Sequence, residues 1–320
     1  MAEWVYEEGI GENRAALIKE GRIIEAQIEL HSSDIRAGAI VAGRLRANRV
    51  IEIEGGGEAL IDTVPRGMTE GAALFALITR EALPEPGKPK RAKARVMMDV
   101  TAPQAAPTLR DRIGSARAIS LHEPDAFEAA GWSEMIEAAQ SGHVPFAGGA
   151  LQISLTPAMT LIDVDGILDP AALGVAAATA AGVAIRCFGI AGSIGIDFPT
   201  TDSKAARNAI AAAFDVSLPQ PFERTAVNGF GFMQIIRPRA RASLCEIMAS
   251  DAVGHAARAM LRRSQRSGII GNATLVVPPR VERIIAAHPD WCATLGAQLG
   301  GRVSLRVDPS LAIGAGYAEA

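Results

Sequence analysis

The first eighty residues alternate between apolar and polar positions, and glycines separate the alternating segments. In residues 13–30 the second half follows a period of two after a Glu20-Gly21 turn, which predicts a β-hairpin. Several short strands in close succession are typical of a small barrel, and we expect an OB-type barrel over residues 36–95. The strands predicted for it lie at residues 37–47, 49–55, 57–64 and 73–80.

The alternation stops after residue 82, where the chain becomes basic and rich in proline. Residues 83–95 read LPEPGKPKRAKAR. Residues 96–125 follow neither a helical nor an extended period, and residues 125–142 have the pattern of a helix. We therefore interpret residues 96–145 as a linker that ends in a helix.

Apolar strands and helical segments alternate between residues 146 and 245. Strand–helix–strand order predicts a right-handed crossover and parallel strand pairing, as in α/β proteins. A smaller helix–strand–helix–strand pattern follows over residues 246–320, which predicts a small α/β terminal domain. The predicted strands lie at residues 150–155, 158–165, 192–198 and 223–237, and the helices at residues 170–188 and 202–216.

Three aspartates mark the ends of two of these strands. Asp163 and Asp165 are two positions apart and share one face of a strand, and Asp197 ends the next strand. The carboxyl ends of parallel strands meet at one edge of a sheet, where α/β proteins bind ligands. Carboxylates gathered there are suitable ligands for magnesium, which can activate water for attack on a phosphate.

The segment LIDVDGIL (161–168) also matches the nucleophile motif of haloacid-dehalogenase-type phosphatases. Those enzymes resemble one another in a later G-D-x-x-x-D acidic pair, which this sequence does not contain. A compact alanine-rich helix follows the motif directly, where such phosphatases insert a cap. We therefore rank an aspartyl-phosphate mechanism below metal-assisted hydrolysis.

A wider resemblance favours nucleic-acid chemistry. LTPAMTLIDVDG (155–166), GSIGIDFPTTDSKAARNAI (192–210) and PFERTAVNGFGFMQIIRPR (221–239) resemble, in order and spacing, the catalytic domain of the ribonuclease E/G family. The resemblance implies an RNase H-like domain over residues 146–245, with an inserted OB-type RNA-binding barrel. It also implies that a hairpin over residues 1–35 pairs with the nuclease domain.

The same resemblance implies an activity and its site. Family members are magnesium-dependent endoribonucleases that cleave single-stranded RNA and leave 5′-phosphate ends. By resemblance Asp163 and Asp197 hold Mg²⁺, which Mn²⁺ can replace. Asp165 stands where the family has Asn, so it is either a third metal ligand or a residue that orients its neighbours.

The chain also departs from the family. Residues 96–145 are too short for a 5′-end-sensing domain, and Cys245 stands alone where a C-x-x-C zinc link would be, so we expect no zinc. A homodimer without that link stays possible. The family's R-F-G reads GFG at 229–231, which removes an arginine near the site. A non-catalytic RNA-binding protein that retains the nuclease fold is therefore the alternative.

Two basic clusters are candidates for phosphate contacts with single-stranded RNA. A third group, Arg262, Arg263 and Arg266, is expected to form a solvated face of a helix. The first cluster comprises Lys88, Lys90, Arg91, Lys93 and Arg95, and the second comprises Arg237, Arg239 and Arg241.

The composition of the chain is compatible with this interpretation. The formal net charge of −3 is ordinary for a soluble protein, and the three cysteines lie far apart without a metal-binding spacing. The N-terminal residues lack an apolar signal segment, and residues 171–185 are too few to span a bilayer. We expect a cytoplasmic protein with no membrane partner.

Overall fold

The computed structural model describes residues 1–32, 35–84 and 89–320. It is a mixed α/β protein that contains a closed five-stranded barrel and, within the described residues, three further sheets. The chain divides into two compact units. The first comprises Met1–Ser32, Ile113–Ser133 and Asp251–Ala320, and the second comprises Ser33–Arg112 and Glu134–Ser250.

Both units mix strands with helices. The strands are β1 (Ala2–Glu8), β2 (Glu12–Lys19), β3 (Arg22–Leu30), β4 (Ile40–Arg46), β5 (Val50–Ile53), β6 (Glu58–Ile61), β7 (Ala73–Arg80), β8 (Ala92–Met97), β9 (Arg117–Ala118), β10 (His143–Phe146), β11 (Gly149–Leu155), β12 (Thr160–Gly166), β13 (Gly192–Asp197), β14 (Glu223–Arg224), β15 (Phe232–Arg237), β16 (Ala273–Val277), β17 (Val303–Val307) and β18 (Tyr317–Glu319). The helices are α1 (Leu109–Ile113), α2 (Ala126–Ala129), α3 (Trp132–Ser141), α4 (Pro170–Cys187), α5 (Lys204–Ser217), α6 (Leu244–Ser250), α7 (Ala252–Gln265), α8 (Pro279–Ala286) and α9 (Pro289–Leu299).

The first unit combines the N-terminal hairpin with the C-terminal segment. Its strands form a four-stranded sheet in the order β3-β2-β1-β9 and a three-stranded sheet in the order β17-β16-β18. Residues of α7, β16, α8 and α9 form an apolar core around Leu261, Leu275 and Leu295. The expectation that residues 1–35 pair with the nuclease domain is wrong for the described strands, because β1 to β3 pair with one another and with β9.

Buried ion pairs lie inside this first unit. Glu7 on β1 accepts hydrogen bonds from Arg14 at 2.8 Å, from Arg262 at 2.7 Å and from Arg266 at 2.9 Å. Burial alone would raise the pKa of the Glu7 carboxyl, but the arginines, Arg262 foremost, outweigh burial and lower the pKa. A buried carboxylate is tolerated here because several guanidinium groups compensate its charge.

This network corrects one prediction about helix α7. We expected Arg262, Arg263 and Arg266 to form a solvated face, but Arg262 is only 5% exposed, and Arg266 is half-buried. Arg263 is exposed, as expected. The two other arginines turn inward because β1 carries Glu7, a buried carboxylate that needs positive partners.

The second unit contains the barrel, whose strand order is β4-β5-β6-β8-β7. Strand β6 runs parallel to β8, and the other neighbours are antiparallel. Ile51, Ile61 and Ile78 are among the side chains that fill it. Four of the five strands lie where the sequence predicts them, and the fifth, β8, begins in the basic segment, where no strand was predicted.

The second unit also contains a six-stranded sheet in the order β10-β11-β12-β13-β15-β14. Strands β10, β11 and β12 are antiparallel, β12 and β13 are parallel, and β15 is antiparallel to β13. Helix α4 makes the crossover between β12 and β13. Its N-cap is Asp169, whose side chain accepts hydrogen bonds from the backbone amides of the first turn. Helix α5 is capped by Ser203, whose side chain accepts a hydrogen bond from the backbone amide of Ala206.

Helix α4 packs against α5 and against β10, β11 and β12. Gly174 permits the close contact, because a Cβ at this position would lie 2.4 Å from Cδ1 of Ile210. By length and composition α4 is also the one helix in the described ranges that could cross a membrane, and half of it is buried in the protein. A core helix of a soluble protein satisfies the same criteria.

Candidate metal and nucleic-acid site

The six-stranded sheet has one apolar face and one exposed face. Ile162 on β12 and Ile196 on β13 are buried, whereas Asp163 and Asp197, the next residues, are exposed. Successive residues of a strand point to opposite faces, so the two carboxylates lie on the face away from this apolar core. The site is therefore an open sheet surface rather than a closed cavity.

Asp163 and Asp197 are direct register partners across the parallel pair β12–β13. Neighbouring strands are about 4.8 Å apart, so the two side chains start side by side and point to the same face. The prediction that one crossover brings these two aspartates together is confirmed. Two negative charges at adjacent strand positions repel each other, and a shared cation relieves that repulsion.

Asp165 lies further along the same strand. It is exposed and pairs with Ala150 of β11, whereas the ladder between β12 and β13 ends at Asp163 and Asp197. Within the described residues no three His, Cys, Asp or Glu side chains converge as a metal-binding group. The structure thus brings together the predicted pair and leaves the third predicted carboxylate outside it.

The row that contains the aspartates crosses five strands. His143, Gln152, Asp163, Asp197 and Phe232 occupy successive register positions from β10 to β15. Gln152 and Phe232, the two neighbours of the carboxylate pair, were not predicted as site residues. Period-two alternation in ALQISL places Gln152 opposite the buried Leu151 and Ile153, which is the signal that could have found it.

The end of the basic segment forms the start of β8, and the cations of this strand face outward from the barrel. Alternate residues of this strand fill the barrel, and the intervening Lys93 and Arg95 point away from it. Lys93 contacts Asp62, the residue after β6, at 3.4 Å, and Arg91 contacts Glu58 of β6 at 3.3 Å. Arg95 is exposed and has no ion-pair partner in the part of the chain that the structure describes. It is therefore the most available of these cations.

Lys88 and Lys90 are the first two residues of this cluster. Lys88 lies outside the described residues. Lys90 donates a hydrogen bond from Nζ to the backbone oxygen of Pro157 at 3.2 Å, within the loop before β12. This contact links the barrel's last strand region to the loop that leads into the aspartate-bearing strand.

The second basic cluster is engaged in contacts within the protein. Arg237 donates a hydrogen bond to a backbone carbonyl at 3.1 Å. Arg239 forms an ion pair with Glu246, and Arg241 contacts Glu81 at 3.1 Å. These arginines have a structural role, whereas their contact with RNA stays a prediction.

No family model matches the chain, and no curated protein matches its sequence.

Proposed function

We propose that the protein is a magnesium-dependent endoribonuclease that cleaves single-stranded RNA and leaves 5′-phosphate ends. The observation that carries this proposal is the register pairing of Asp163 with Asp197 on an exposed sheet face. The sequence resemblance to the ribonuclease E/G family supports the same conclusion. The proposed location is the cytoplasm.

The donor set fits a hard divalent cation. Mg²⁺ prefers oxygen ligands and is commonly held by one or two carboxylates, while water and substrate phosphate complete its coordination. Asp163 and Asp197 would hold this ion, and Mn²⁺ would occupy the same place. When bound, the ion polarises a phosphodiester and lowers the pKa of a coordinated water. The exposure of both carboxylates leaves room for an extended strand to reach them.

The strand arrangement supports the two domain types that belong to this proposal, an OB-type barrel and an RNase H-like sheet. A five-stranded barrel in which the third and fifth strands are parallel has the strand order of OB-type barrels, which bind oligonucleotides. An antiparallel β10–β11–β12 segment joined by a helical crossover to a parallel neighbour is in keeping with an RNase H-like sheet. Strand β15 departs from that pattern, because it is antiparallel to β13.

A cleavage assay tests the proposal. Wild-type protein is incubated with fluorescent single-stranded RNA, or with single-stranded DNA of the same sequence, in Mg²⁺ or in EDTA. We expect cleavage of RNA in Mg²⁺ and none in EDTA. The double variant Asp163→Asn/Asp197→Asn should be inactive, whereas Glu137→Gln, at an exposed carboxylate of α3, should cleave like wild type. Cleavage by the double variant at the wild-type rate refutes the assignment.

Binding of Mn²⁺, measured by electron paramagnetic resonance, gives a second readout that does not depend on turnover. Wild-type protein should bind the ion, and the double variant should not.

A non-catalytic RNA-binding protein is the second candidate, and the observation that favours it is that Asp165 does not join the carboxylate pair. RNA binding without cleavage in either Mg²⁺ or Mn²⁺ would establish that alternative.

A further inference from the structure

Phe230 is unusually exposed for its residue type. The chain has nine phenylalanines, all within the described ranges, and Phe230 is the one that is classed as exposed, at 83%. Burying such an apolar side chain would stabilise the protein, so its exposure forgoes that stabilisation. A single exposed apolar residue is common on protein surfaces. Two features distinguish Phe230 from such residues. Its loop is held in one conformation, and Phe232 lies close to it in the chain.

Hydrogen bonds hold the loop of Phe230 in one conformation. Asn228 Oδ1 accepts from the backbone amides of Phe230 at 2.9 Å and Phe232 at 3.0 Å. The hydroxyl of Thr200 donates to the carbonyl of Phe230 at 3.2 Å, and the amide of Phe198 donates to Gly231 at 3.1 Å. The ring is therefore presented to solvent by an ordered loop next to the end of β13.

Phe232 links this loop to the carboxylate pair. It is the register partner of Asp197, and its side chain is half-buried on the same sheet face. A Cβ built on Gly195 would lie 2.5 Å from Cζ of Phe232 and 3.0 Å from Cδ2 of Leu161. The ring thus lies over Gly195, immediately behind the aspartates, and glycine leaves the space that it occupies.

We infer that Phe230 and Phe232 form a stacking subsite for an unpaired nucleobase next to the phosphate held at Asp163 and Asp197. Aromatic rings stack on any base, because every base has a π face. The barrel, by contrast, has Phe75 as its one aromatic residue between residues 36 and 97. Stacking therefore takes place beside the carboxylates.

This inference rests on the proposed function and adds a source of selectivity to it. A base in a duplex is already stacked and paired, so it cannot lie against Phe230 without being unpaired. A single strand has bases free to do so. Phe230 and Phe232 therefore act as positioning residues that select single-stranded substrates and tolerate different sequences.

The test uses the full chain and a short single-stranded RNA that contains 2-aminopurine, whose fluorescence is quenched by stacking. Binding is measured in EDTA, and steady-state cleavage is measured separately in Mg²⁺. Phe230→Ala and Phe232→Ala should weaken binding by about 5- to 100-fold and reduce the quenching. In the cleavage assay they should raise KM more than they lower kcat. Phe230→Trp should restore binding.

Val216→Ala is the matched control, because Val216 is an apolar side chain of α5 with a similar exposure. It should bind RNA like wild type. A probe that carries abasic sites should bind wild type weakly and should not distinguish Phe230→Ala from it. If both phenylalanine variants bind the intact probe like Val216→Ala, the stacking subsite is refuted.

Two further results separate this inference from the proposed function. Binding that depends on Phe230, without cleavage in Mg²⁺, supports the subsite and refutes the nuclease. Cleavage that is unchanged in both phenylalanine variants supports the nuclease and refutes the subsite. If Phe230→Ala instead changes sedimentation of the protein but not RNA binding, the loop is a contact between copies of the chain, and the inference is overturned.

Discussion

Asp163 on β12 and Asp197 on β13 occupy the same register level of a parallel strand pair. Helix α4 connects these strands and packs against β12, which holds the crossover in place. The relative position of the two carboxylates is therefore determined by the sheet ladder, and not by the conformation of a loop. This arrangement distinguishes them from Asp165, which lies beyond the end of that ladder.

Single substitutions of Asp163 and Asp197 should reduce RNA cleavage more than substitution of Asp165. Asp163→Asn and Asp197→Asn should each lower Mg²⁺-dependent RNA cleavage by at least about 100-fold, because a metal supplies several kcal/mol to the transition state. The double variant should be little worse than either, since both carboxylates hold one ion. Asp165→Asn should retain more activity than either single variant. Equal losses in all three would show that Asp165 is also a ligand.

The loop of Phe230 contains a matched pair of glycines. Gly231 has a φ of +92°, and a Cβ there would lie 2.1 Å from the carbonyl oxygen of Phe198, whereas no atom lies within 4 Å at Gly229. Gly231→Ala should destabilise the protein by about 1–3 kcal/mol, and Gly229→Ala by less than about 0.5 kcal/mol. Urea unfolding followed by circular dichroism measures both. Equal effects would contradict the loop geometry.

Arg262 should be essential to the stability of the first unit. Arg262→Met removes a partner of the buried Glu7 and should cost about 3–5 kcal/mol. Arg117→Met, in the same unit, breaks exposed ion pairs with Glu3 and Glu123 and should cost about 0–1 kcal/mol.

Intrinsic tryptophan fluorescence measures this effect for the first unit alone. All three tryptophans of the chain, Trp4, Trp132 and Trp291, lie in that unit. The urea midpoint of the fluorescence change should therefore fall in Arg262→Met and stay near the wild-type value in Arg117→Met. Similar midpoints for wild type and Arg262→Met would mean that the buried network does not stabilise the unit.

The first unit should lose stability as the pH falls. Burial raises the pKa of Glu12, but Arg14 and Arg258 outweigh burial and lower it, so the unfolded chain binds a proton near pH 4.5 where the folded chain does not. The stabilisation is therefore present above pH 4.5 and is lost as the pH falls through the folded-state pKa.

His255 extends this dependence to higher pH. Burial, with help from the positive charge of Arg258, lowers the pKa of His255 below 6.5 against the opposing effect of Glu12. The unfolded chain then takes up a proton near pH 6.5 that the folded chain does not bind, so stability declines below that pH. In His255→Gln the urea midpoint should change less between pH 7.5 and pH 5.5 than in wild type. Identical profiles would exclude His255 as the cause.

The salt dependence of RNA binding should distinguish the roles of the two basic clusters. Arg95 is exposed on β8, and Arg95→Gln should reduce the slope of log K against log salt for single-stranded RNA by about 0.7, the effect of one phosphate contact. Arg239 is bound to Glu246, so Arg239→Gln should leave this slope unchanged and lower stability instead. The opposite result would mean that the second cluster contacts the RNA.

The aspartate pair could be predicted because its causes are local in sequence. Apolar strand patterns locate β12 and β13, the helical pattern of residues 170–188 locates α4, and strand–helix–strand order makes the strands parallel. The fifth barrel strand was missed because prolines and basic residues follow the last regular apolar alternation, at residue 82. Small apolar residues at the alternate positions were the signal of an inward face.

The buried ion pairs could not be predicted in this way. Glu7 and Arg262 are separated by almost the whole chain, and neither has a local pattern that indicates burial. Arginines spaced along a helix usually form a solvated face, and only the tertiary structure shows which of them meet buried carboxylates. The exposure of Phe230 could not be predicted either, because no period in the sequence indicates whether a loop residue is exposed.

The division of the first unit into three chain segments determines the order in which the protein can be completed during synthesis. All residues of the second unit have been made once Ser250 has been added, whereas β1 and β2 still lack the arginines of α7. Domains form as units while a chain is being translated, usually from the N-terminus. Here Glu7 and Glu12 have only Arg14 as a partner until α7 supplies Arg258 and Arg262, so nascent chains arrested near Ser250 should carry a completed barrel and an incompletely neutralised β1–β2 hairpin.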